Sequence, residues 1–212
     1  MPINNQKKTK ITLITVSYNS DKTIKNTLDS VKSQKYTEIE HLIIDNKSSD
    51  KTLEIAKTYP HIKKIISEPD KGIYDAMNKG IKIANGDVIG FLNSDDFYAS
   101  NDVLEKVANI FNEDSQLDAC YADLIYVSQF NTSKIIRYVK SSEFKEGLFS
   151  KGWCPPHPTF FVRRSVYDSL GNFDLNYHIA SDVELMIRFL QINKIKVRYI
   201  SEVWVKMRMG GI

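Results

Sequence analysis

Two adjacent carboxylates, Asp95 and Asp96, follow a short apolar run from Val88 to Leu92. The apolar run predicts a buried strand, and ligands of open α/β sheets bind beyond the carboxyl ends of the strands. Two acids in contact repel each other unless a cation lies near them, and hard divalent cations prefer carboxylate oxygens. The pattern therefore indicates a site for a metal ion and a phosphate, although a strand end rich in turn-forming residues would look similar.

A third acid that could do chemistry lies late in the chain. Ser181 and Glu184 have the spacing of a capping box, which predicts a helix start and places Asp182 in the first helical turn. The N-terminus of a helix stabilises an anion, so Asp182 is suited to accept a proton at neutral pH. Acids in first turns also stabilise helices with no catalytic role, and these residues alone leave both interpretations open.

Alternating strand and helix patterns would position these acids. Strands are predicted at residues 11–17, 40–44, 62–66 and 88–92. Apolar residues at helical spacing predict four helices, which carry Ile24, Leu28 and Val31; Leu53 and Ala56; Ile73, Met77, Ile81 and Ala84; and Val103, Leu104, Val107 and Phe111. Gly86 is predicted to cap the third helix. This order predicts an α/β fold with a mostly parallel central sheet and helices on both faces.

The alternation stops near residue 115. Strands are predicted at 119–127 and 134–139, a rigid loop at 153–158 and a final helix at 181–192. A chain of 212 residues is long enough for one domain with a full core. We therefore expect a single domain over residues 1–212, with a nucleotide-binding half at about 10–115 and a smaller acceptor-binding half at about 116–212.

Composition and charge exclude several classes of protein. The net charge of +3 comes without a long Lys/Arg run, which argues against a nucleic-acid partner. Lys7, Lys8 and Lys10 form a short basic segment that is either a solvated terminus or weakly attracted to an anionic membrane. The sequence offers neither an apolar run of membrane-spanning length nor a signal-peptide core. Cys120 and Cys154 are predicted to be free thiols, as expected in a reducing cytoplasm.

Seven short segments, in this order along the chain, resemble the family 2 glycosyltransferases with a GT-A fold. They are residues 15–19 (TVSYN), 44–50 (IDNKSSD), 68–80 (EPDKGIYDAMNKG), 92–96 (LNSDD), 157–161 (HPTFF), 171–174 (GNFD) and 181–188 (SDVELMIR). The resemblance implies a Rossmann-like GT-A fold and an inverting transfer of a sugar from a nucleotide-sugar to an acceptor hydroxyl, with Mn²⁺ or Mg²⁺ as cofactor. It also implies bacterial surface-polysaccharide synthesis on a saccharide or lipid-linked acceptor, in the cytoplasm or at the inner face of the membrane. Relatives usually continue beyond the ending at Met207–Ile212, so a missing C-terminal tail is expected.

The resemblance also assigns donor-binding roles. The predicted donor contacts are Val16, Tyr18, Asp45, Lys71, Asp75, Ser94 and Asp95. Asp45 would accept the imide N–H of a pyrimidine base, which suggests a UDP-sugar, and its alternative is the start of an Asx-turn. Tyr18 would stack on the base or pack against the core. Asp75 would bind a donor hydroxyl or complement the helix dipole.

The remaining site residues also follow from the resemblance. Asp96 would bind the metal, and Asp182 would be the general base, although Ser181 stands where the family more often has Glu. No histidine follows His178, so metal binding is expected to be weak without nucleotide. His157 and Trp153 are acceptor-side candidates, with a loop role and core packing as their alternatives.

Two other functions would also use acidic residues at the ends of strands. A sugar nucleotidyltransferase would carry a Gly-rich, basic loop after the first strand, and residues 18–21 (YNSD) form no such loop. A non-catalytic nucleotide-binding module on the same fold would have no use for both Asp96 and Asp182. The donor sugar, the linkage and the oligomeric state cannot be read from the sequence.

Overall fold

A nine-stranded mixed sheet organises the chain. The computed structural model describes residues 8–210, so Lys7 of the basic segment and the last two residues of the predicted truncation point lie outside the described residues. The strands are β1 (Ile11–Ser17), β2 (Ile39–Asp45), β3 (Ile62–Ser67), β4 (Val88–Phe91), β5 (Phe97–Tyr98), β6 (Ala119–Val127), β7 (Ile135–Val139), β8 (Phe161–Arg163) and β9 (Val197–Arg208). Their order across the sheet is β3-β2-β1-β4-β8-β6-β9-β5, and β7 pairs with β6.

Helices cover both faces of this sheet. They are α1 (Ile24–Lys32), α2 (Thr52–Ala56), α3 (Ile73–Ile83), α4 (Val103–Glu113), α5 (Arg164–Leu170) and α6 (Ser181–Met186), which continues as a π-helical turn over Ile187–Ile192. Alternate residues of β1 enter different clusters, since Ile14 packs with α3 and α6 whereas Leu13 packs with α4. Side chains of a strand point to alternate faces, so a strand that is apolar throughout requires cover on both sides.

The N-terminal part of the sheet has the predicted organisation. β1 pairs in parallel with both β2 and β4, and β2 pairs in parallel with β3. The carboxyl ends of these strands therefore meet at one edge, where Ser17 is the register partner of Asp45. The predicted strands and helices of this part are all present, with bounds that differ by one or two residues.

The C-terminal part of the sheet contains elements that the sequence patterns did not reveal. β8 is antiparallel to both β4 and β6, whereas β9 is parallel to β6 and antiparallel to β5. The two or three residues of β5 and β8 are too short to show a period. β9 and α5 were also missed. The predicted final helix is present, but its second half is π-helical.

Gly86 has a different role from the predicted helix cap. α3 ends at Ile83, and Ala84 follows it in an extended conformation. A Cβ at Gly86 would lie 2.5 Å from the Thr12 backbone nitrogen. Glycine is therefore required because the chain passes directly against β1.

Two further sequence predictions can be compared with the described residues. Cys120 and Cys154 are both free thiols, as predicted. Within residues 8–210, no helix combines the length and the apolar character that a membrane span requires.

Candidate active site

The first two strand ends of the predicted donor site are tied together by serine hydroxyls. The Ser17 hydroxyl donates to Asp45 Oδ1 at 2.9 Å. The hydroxyls of Ser20 and Ser94 share a hydrogen bond of 2.7 Å, which joins the loop after β1 to the loop after β4. Ser94 is thus placed at the predicted site, where it fixes the relative position of two loops.

Asp45 connects several segments at this edge of the sheet through hydrogen bonds. Its side chain has no exposed surface. Besides Ser17, its carboxylate accepts bonds from the Ser48 amide at 2.9 Å, the Ser48 hydroxyl at 2.5 Å and the Ser67 hydroxyl at 2.7 Å. A carboxylate offers about four acceptor positions, and all are used here. The predicted direct contact with a base has to be revised, because the base could reach Asp45 only if a serine turned away. The Asx-turn alternative describes the observed contacts.

The two residues predicted at the end of β1 differ in accessibility. Tyr18 is 52% exposed, so its ring is free to stack on a base and is not a core residue. The Val16 side chain is buried in the core, against the same cluster as Ile14. Only the backbone of Val16 is therefore available to a nucleotide-sugar donor, so its predicted donor contact is limited to a backbone contact.

The loop before α3 is shaped by its own carboxylates. Gly72 has a φ of +118°, a conformation that only glycine adopts without strain. Asp70 accepts the Gly72 amide at 2.9 Å, and Asp75 accepts the Lys71 amide at 2.9 Å. Asp75 therefore stabilises the start of the helix, which was the alternative to a donor contact. The Lys71 side chain is exposed beside this turn.

Asp95 and Asp96 differ strongly in exposure. Asp95 is half-buried, whereas Asp96 has no exposed surface. Burial raises the pKa of Asp95, and burial together with the charge of Asp95 raises the pKa of Asp96 well above its usual range. Burial disfavours the charged form of each acid, and the two like charges add to the effect. Nearby positive charge therefore only partly balances the negative charges of the two acids.

Three buried polar atoms near this strand end have no hydrogen-bond partner among the described residues. They are Asn93 Oδ1, Asp96 Oδ2 and Arg208 Nε. Asp96 Oδ1 accepts only a long bond of 3.3 Å from the Arg208 amide. Buried polar atoms are normally paired, so such a cluster has the character of an ion- or ligand-binding site. Two carboxylates with a free oxygen fit a hard divalent cation, although no group of three His, Cys, Asp or Glu side chains in the described chain could enclose one.

Arg208 is a site residue that the sequence did not reveal. It lies at the end of β9, which the pairing with β5 brings beside Asp96. Its positive charge lowers the pKa of both acids, against the larger effect of burial. Its guanidinium also lies 5.4 Å from the centre of the Phe97 ring. No local motif marks Arg208, because only the return of the last strand places it there.

Asp182 lies in the first turn of α6, as predicted. The capping box itself is not formed. Ala180, with a φ of +64°, precedes the helix, the Ser181 hydroxyl donates to the Asp174 carbonyl at 2.9 Å, and Glu184 pairs with Arg188 at 2.8 Å. The partner of Asp182 comes from another helix, since the Tyr74 hydroxyl donates to Asp182 Oδ1 at 2.7 Å.

His157 lies on the Asp182 side of the site. Its ring stacks on Phe91 at 5.4 Å and meets the edge of Phe173 at 5.6 Å. Burial lowers the pKa of His157, and the nearby Asp182 charge only partly opposes this. The imidazole is therefore neutral at pH 7, next to the candidate base.

Trp153 is half-buried and packs against the core, and its acceptor-side role stays a prediction. Its ring meets Tyr121 at 6.1 Å, Phe144 at 6.0 Å and Phe149 at 5.7 Å. These aromatic neighbours surround the indole on several sides, which is the core packing that the sequence left open as the alternative.

Clamps from two helices hold the loop between α5 and α6. The Asn78 side chain donates to the Phe173 carbonyl at 2.9 Å and accepts the Phe173 amide at 3.0 Å. Arg188 makes a two-point ion pair with Glu184 and donates to the carbonyls of residues 170–172. These bonds fix the direction from which the chain enters α6, and hence the position of Asp182.

The sequence model described as "Glycosyl transferase family 2" matches residues 12–171, about three quarters of the chain. That range contains the serine-linked strand ends, the acidic pair and Asn78. The chain belongs to glycosyl transferase family 2. This family 2 protein is therefore a glycosyltransferase, and the resemblance drawn from its short motifs is confirmed.

Named relatives agree with the family. A "PGL/p-HBAD biosynthesis glycosyltransferase" of Mycobacterium bovis is 31% identical over 180 residues, which cover 83% of this chain and 68% of that protein. An "uncharacterized glycosyltransferase" of Mycobacterium tuberculosis is 30% identical over 184 residues, covering 84% and 68%.

Solved structures confirm the predicted GT-A fold. TarS of S. aureus, residues 1–349 in complex with UDP-GlcNAc, superposes with a TM-score of 0.79 at 23% identity, covering 96% of this chain and 59% of that one. The mannosyltransferase PcManGT of Pyrobaculum calidifontis, in complex with GDP-Man and Mn²⁺, gives a TM-score of 0.69 at 19% identity, covering 94% and 57%. This chain thus spans about three fifths of the length of these structural relatives.

Proposed function

We propose that this glycosyltransferase is an inverting, metal-dependent enzyme that moves a sugar from a UDP-sugar to an acceptor hydroxyl, with Asp182 as general base. The observation that carries this proposal is the contact of the Asp182 carboxylate with the Tyr74 hydroxyl at 2.7 Å, beside a neutral His157. A carboxylate that is oriented by a donor and left with a second free oxygen is suited to accept a proton.

The metal site is proposed at Asp95 and Asp96 together. The sequence assigned the ion to Asp96 and a donor contact to Asp95. Because Asp96 has no exposed surface and Asp95 is half-buried, we propose that Asp95 meets the ion from the open side and that Asp96 supplies the unpartnered Oδ2 behind it. A divalent cation bound there would neutralise charge on the departing nucleoside diphosphate. PcManGT, a mannosyltransferase of the same fold, is described in complex with Mn²⁺, which supports a divalent metal.

The donor half is proposed to lie over the ends of β1 and β2. Tyr18 would stack on the base through its exposed ring. Asp45 would act through Ser17, Ser48 and Ser67. A serine hydroxyl oxygen can accept the imide N–H of uracil while its own O–H still donates to the Asp45 carboxylate. Lys71 would balance diphosphate charge. The UDP and UDP-GlcNAc complexes of TarS support a UDP-sugar.

The acceptor half is proposed to lie along the segment that leads into α6. Leu175, Tyr177 and Ile179 in this segment are 40%, 50% and 85% exposed, a few residues before Asp182. Exposed apolar residues grouped next to a site indicate an apolar ligand or surface. They support an acceptor whose hydroxyl is attached to a lipid carrier, and thus a setting at the cytoplasmic face of the membrane in surface-polysaccharide synthesis.

The substitution Asp182→Asn tests the assignment of the base. We expect UDP release from UDP-glucose or UDP-N-acetylglucosamine, with Mn²⁺ present, to fall by about 10²–10⁴-fold, the usual contribution of a general base. The affinity for UDP and Mn²⁺ should stay within about twofold, since Asp182 makes no proposed donor contact. Asp168→Asn, an exposed acid on α5, is the matched control and should behave like the parent.

The outcome separates the three candidate functions. Near-normal turnover by Asp182→Asn would show that another group is the base. Release of pyrophosphate from UTP and a sugar 1-phosphate, with no release of UDP from a UDP-sugar, would indicate a nucleotidyltransferase. Tight binding of every UDP-sugar with neither transfer nor hydrolysis by the parent protein would indicate a non-catalytic module.

A further inference from the structure

Tyr74 contacts the candidate base, and the surroundings of its ring and hydroxyl indicate how the base is held. It lies in the first turn of α3, and its hydroxyl donates to Asp182 Oδ1 at 2.7 Å across 108 positions of sequence. A hydrogen bond to a carboxylate is charge-assisted and among the stronger ones in proteins. The bond therefore connects α3 directly to the first turn of α6.

The ring of Tyr74 is held as firmly as its hydroxyl. It stacks on Phe173 at 5.4 Å with an interplanar angle of 28°. Phe173 is in turn clamped at both backbone atoms by Asn78, one helical turn after Tyr74 on the same face of α3. The hydroxyl position is thus set by the helix, because neither the ring nor its stacking partner can move independently.

The protonation state of Tyr74 suits a donor. Burial raises the pKa of Tyr74 to about 12, and the Asp182 carboxylate contributes in the same direction. At neutral pH the phenol keeps its proton and donates a hydrogen bond to Asp182. The hydrogen bond can therefore keep the same geometry throughout the pH range in which the enzyme would work.

We propose that Tyr74 is a positioning residue, which holds Asp182 Oδ1 so that Oδ2 faces the acceptor hydroxyl. This inference rests on the proposed function and deepens it. Because Tyr74 lies between Lys71 and Asp75 in the turn assigned to the donor, it ties the position of the base to the donor-binding segment. A change in the Gly72 turn on donor binding would be transmitted to Asp182 through a single bond.

The substitution Tyr74→Phe keeps the ring and removes the donor. Tyr59→Phe is a matched control, because the Tyr59 hydroxyl also donates to an aspartate Oδ1, that of Asp29, at 2.7 Å and in a different part of the fold. Both variants lose one phenol-carboxylate bond. Only the first should affect the site, since Asp29 lies on α1 and has no proposed role.

Carbon-13 NMR of the aspartate carboxyl groups measures the first consequence without any substrate. Loss of the hydrogen bond should change the carboxyl chemical shift of Asp182 in Tyr74→Phe and leave it unchanged in Tyr59→Phe. The Asp182 resonance is assigned by its absence in Asp182→Asn. An unchanged chemical shift would overturn the proposal.

Turnover measures the second consequence. Tyr74→Phe should lower kcat for UDP release from UDP-N-acetylglucosamine by about 10- to 100-fold, because a misplaced base costs rate. KM for the donor should change less than about twofold, because Tyr74 makes no proposed donor contact. A changed Asp182 chemical shift with unchanged kcat would also overturn the proposal, since the bond would then serve only stability.

A second substitution tests whether the effects of Tyr74→Phe come only from a folding defect. Site-specific incorporation of 3-fluorotyrosine at position 74 keeps the ring and supplies a more acidic hydroxyl. The stronger donor should move the Asp182 carboxyl chemical shift in the direction opposite to Tyr74→Phe, and movement in the same direction would count against the proposal. If Asp182→Asn itself remains active, the proposed function fails whatever Tyr74 does, so the two failures are distinguishable.

Discussion

Asp96 provides the sharpest test of the metal site, because its carboxylate should destabilise the metal-free protein. It has no exposed surface, its Oδ2 accepts no bond from the described residues, and its Oδ1 accepts one long bond of 3.3 Å. An unpaired buried polar group costs about 1–3 kcal/mol, and a charged one costs more. Asp96→Asn keeps the shape and removes the charge, so at pH 8 it should raise the free energy of unfolding by about 2 kcal/mol.

The assay is thermal unfolding at several pH values, with and without Mn²⁺ and UDP. In a chain of this size about 2 kcal/mol corresponds to a rise in Tm of about 4–8 °C. Because burial raises the pKa of Asp96 in the folded state, folding retains a proton that the unfolded chain has lost. The parent therefore loses stability as the pH rises from about 4 through the folded pKa, and the advantage of Asp96→Asn grows over that range.

Ligand addition should reverse the ranking. Mn²⁺ with UDP stabilises the parent by mass action, by about 2.7 kcal/mol at a hundredfold excess over Kd. Asp96→Asn should show less than about a quarter of that gain, which is too little to keep its advantage of about 2 kcal/mol. Asp102→Asn, which removes a more exposed acid paired with Lys106, should change stability by less than about 0.5 kcal/mol at any Mn²⁺ concentration.

Two results would refute this reasoning. A metal-free Asp96→Asn protein that is less stable than the parent at pH 8 would mean that the carboxylate is satisfied. A full Mn²⁺ and UDP effect in that variant would mean that the ion binds elsewhere.

Four further substitutions test other parts of the site and fold. Tyr18→Ala should raise the donor KM with little change in kcat, by the fold-change that corresponds to about 1–3 kcal/mol of base stacking; unchanged KM would exclude the stacking role. Asp45→Ala should lower the free energy of unfolding by about 2–4 kcal/mol in urea denaturation, because serine and amide donors are left without their acceptor; a mild effect would mean that they find other partners. Gly86→Ala should lose about 1–3 kcal/mol, since its Cβ would meet the Thr12 backbone, and a neutral result would contradict the close approach. His41 is buried with its pKa lowered to about 3, so stability should fall as the pH drops from about 6.5 towards 3, and His41→Gln should reduce that slope in acid titrations.

The N-terminal part of the fold was predictable because its elements carry complete periods. Ile11–Ser17 and Ile39–Asp45 are apolar or β-branched through most of their length, and each ends in polar turn residues. Helices with apolar stripes separate them, so connectivity alone requires parallel pairing. Parallel pairing in turn brings the strand-end acids Asp45, Asp95 and Asp96 to one edge of the sheet, which is why the sequence sufficed to locate them.

The C-terminal part was less predictable because its strands are defined by their pairing with other strands and not by a pattern in the sequence. β5 and β8 are too short to carry a pattern, and β9 belongs to the sheet only through its pairing with β6 and β5. Arg208, Tyr74 and Asn78 acquire their roles from such long-range placement. The capping box failed for a related reason, since Glu184 found a stronger partner in Arg188.

The sequence by itself determined the fold class, the family and the acids that could do chemistry, because residue type, order and period are local properties. The tertiary structure decided what each acid contacts. Asp45 proved to be saturated by serines, Asp96 enclosed and Asp182 held by Tyr74, because exposure and hydrogen-bond partners depend on segments that meet only when the sheet has formed.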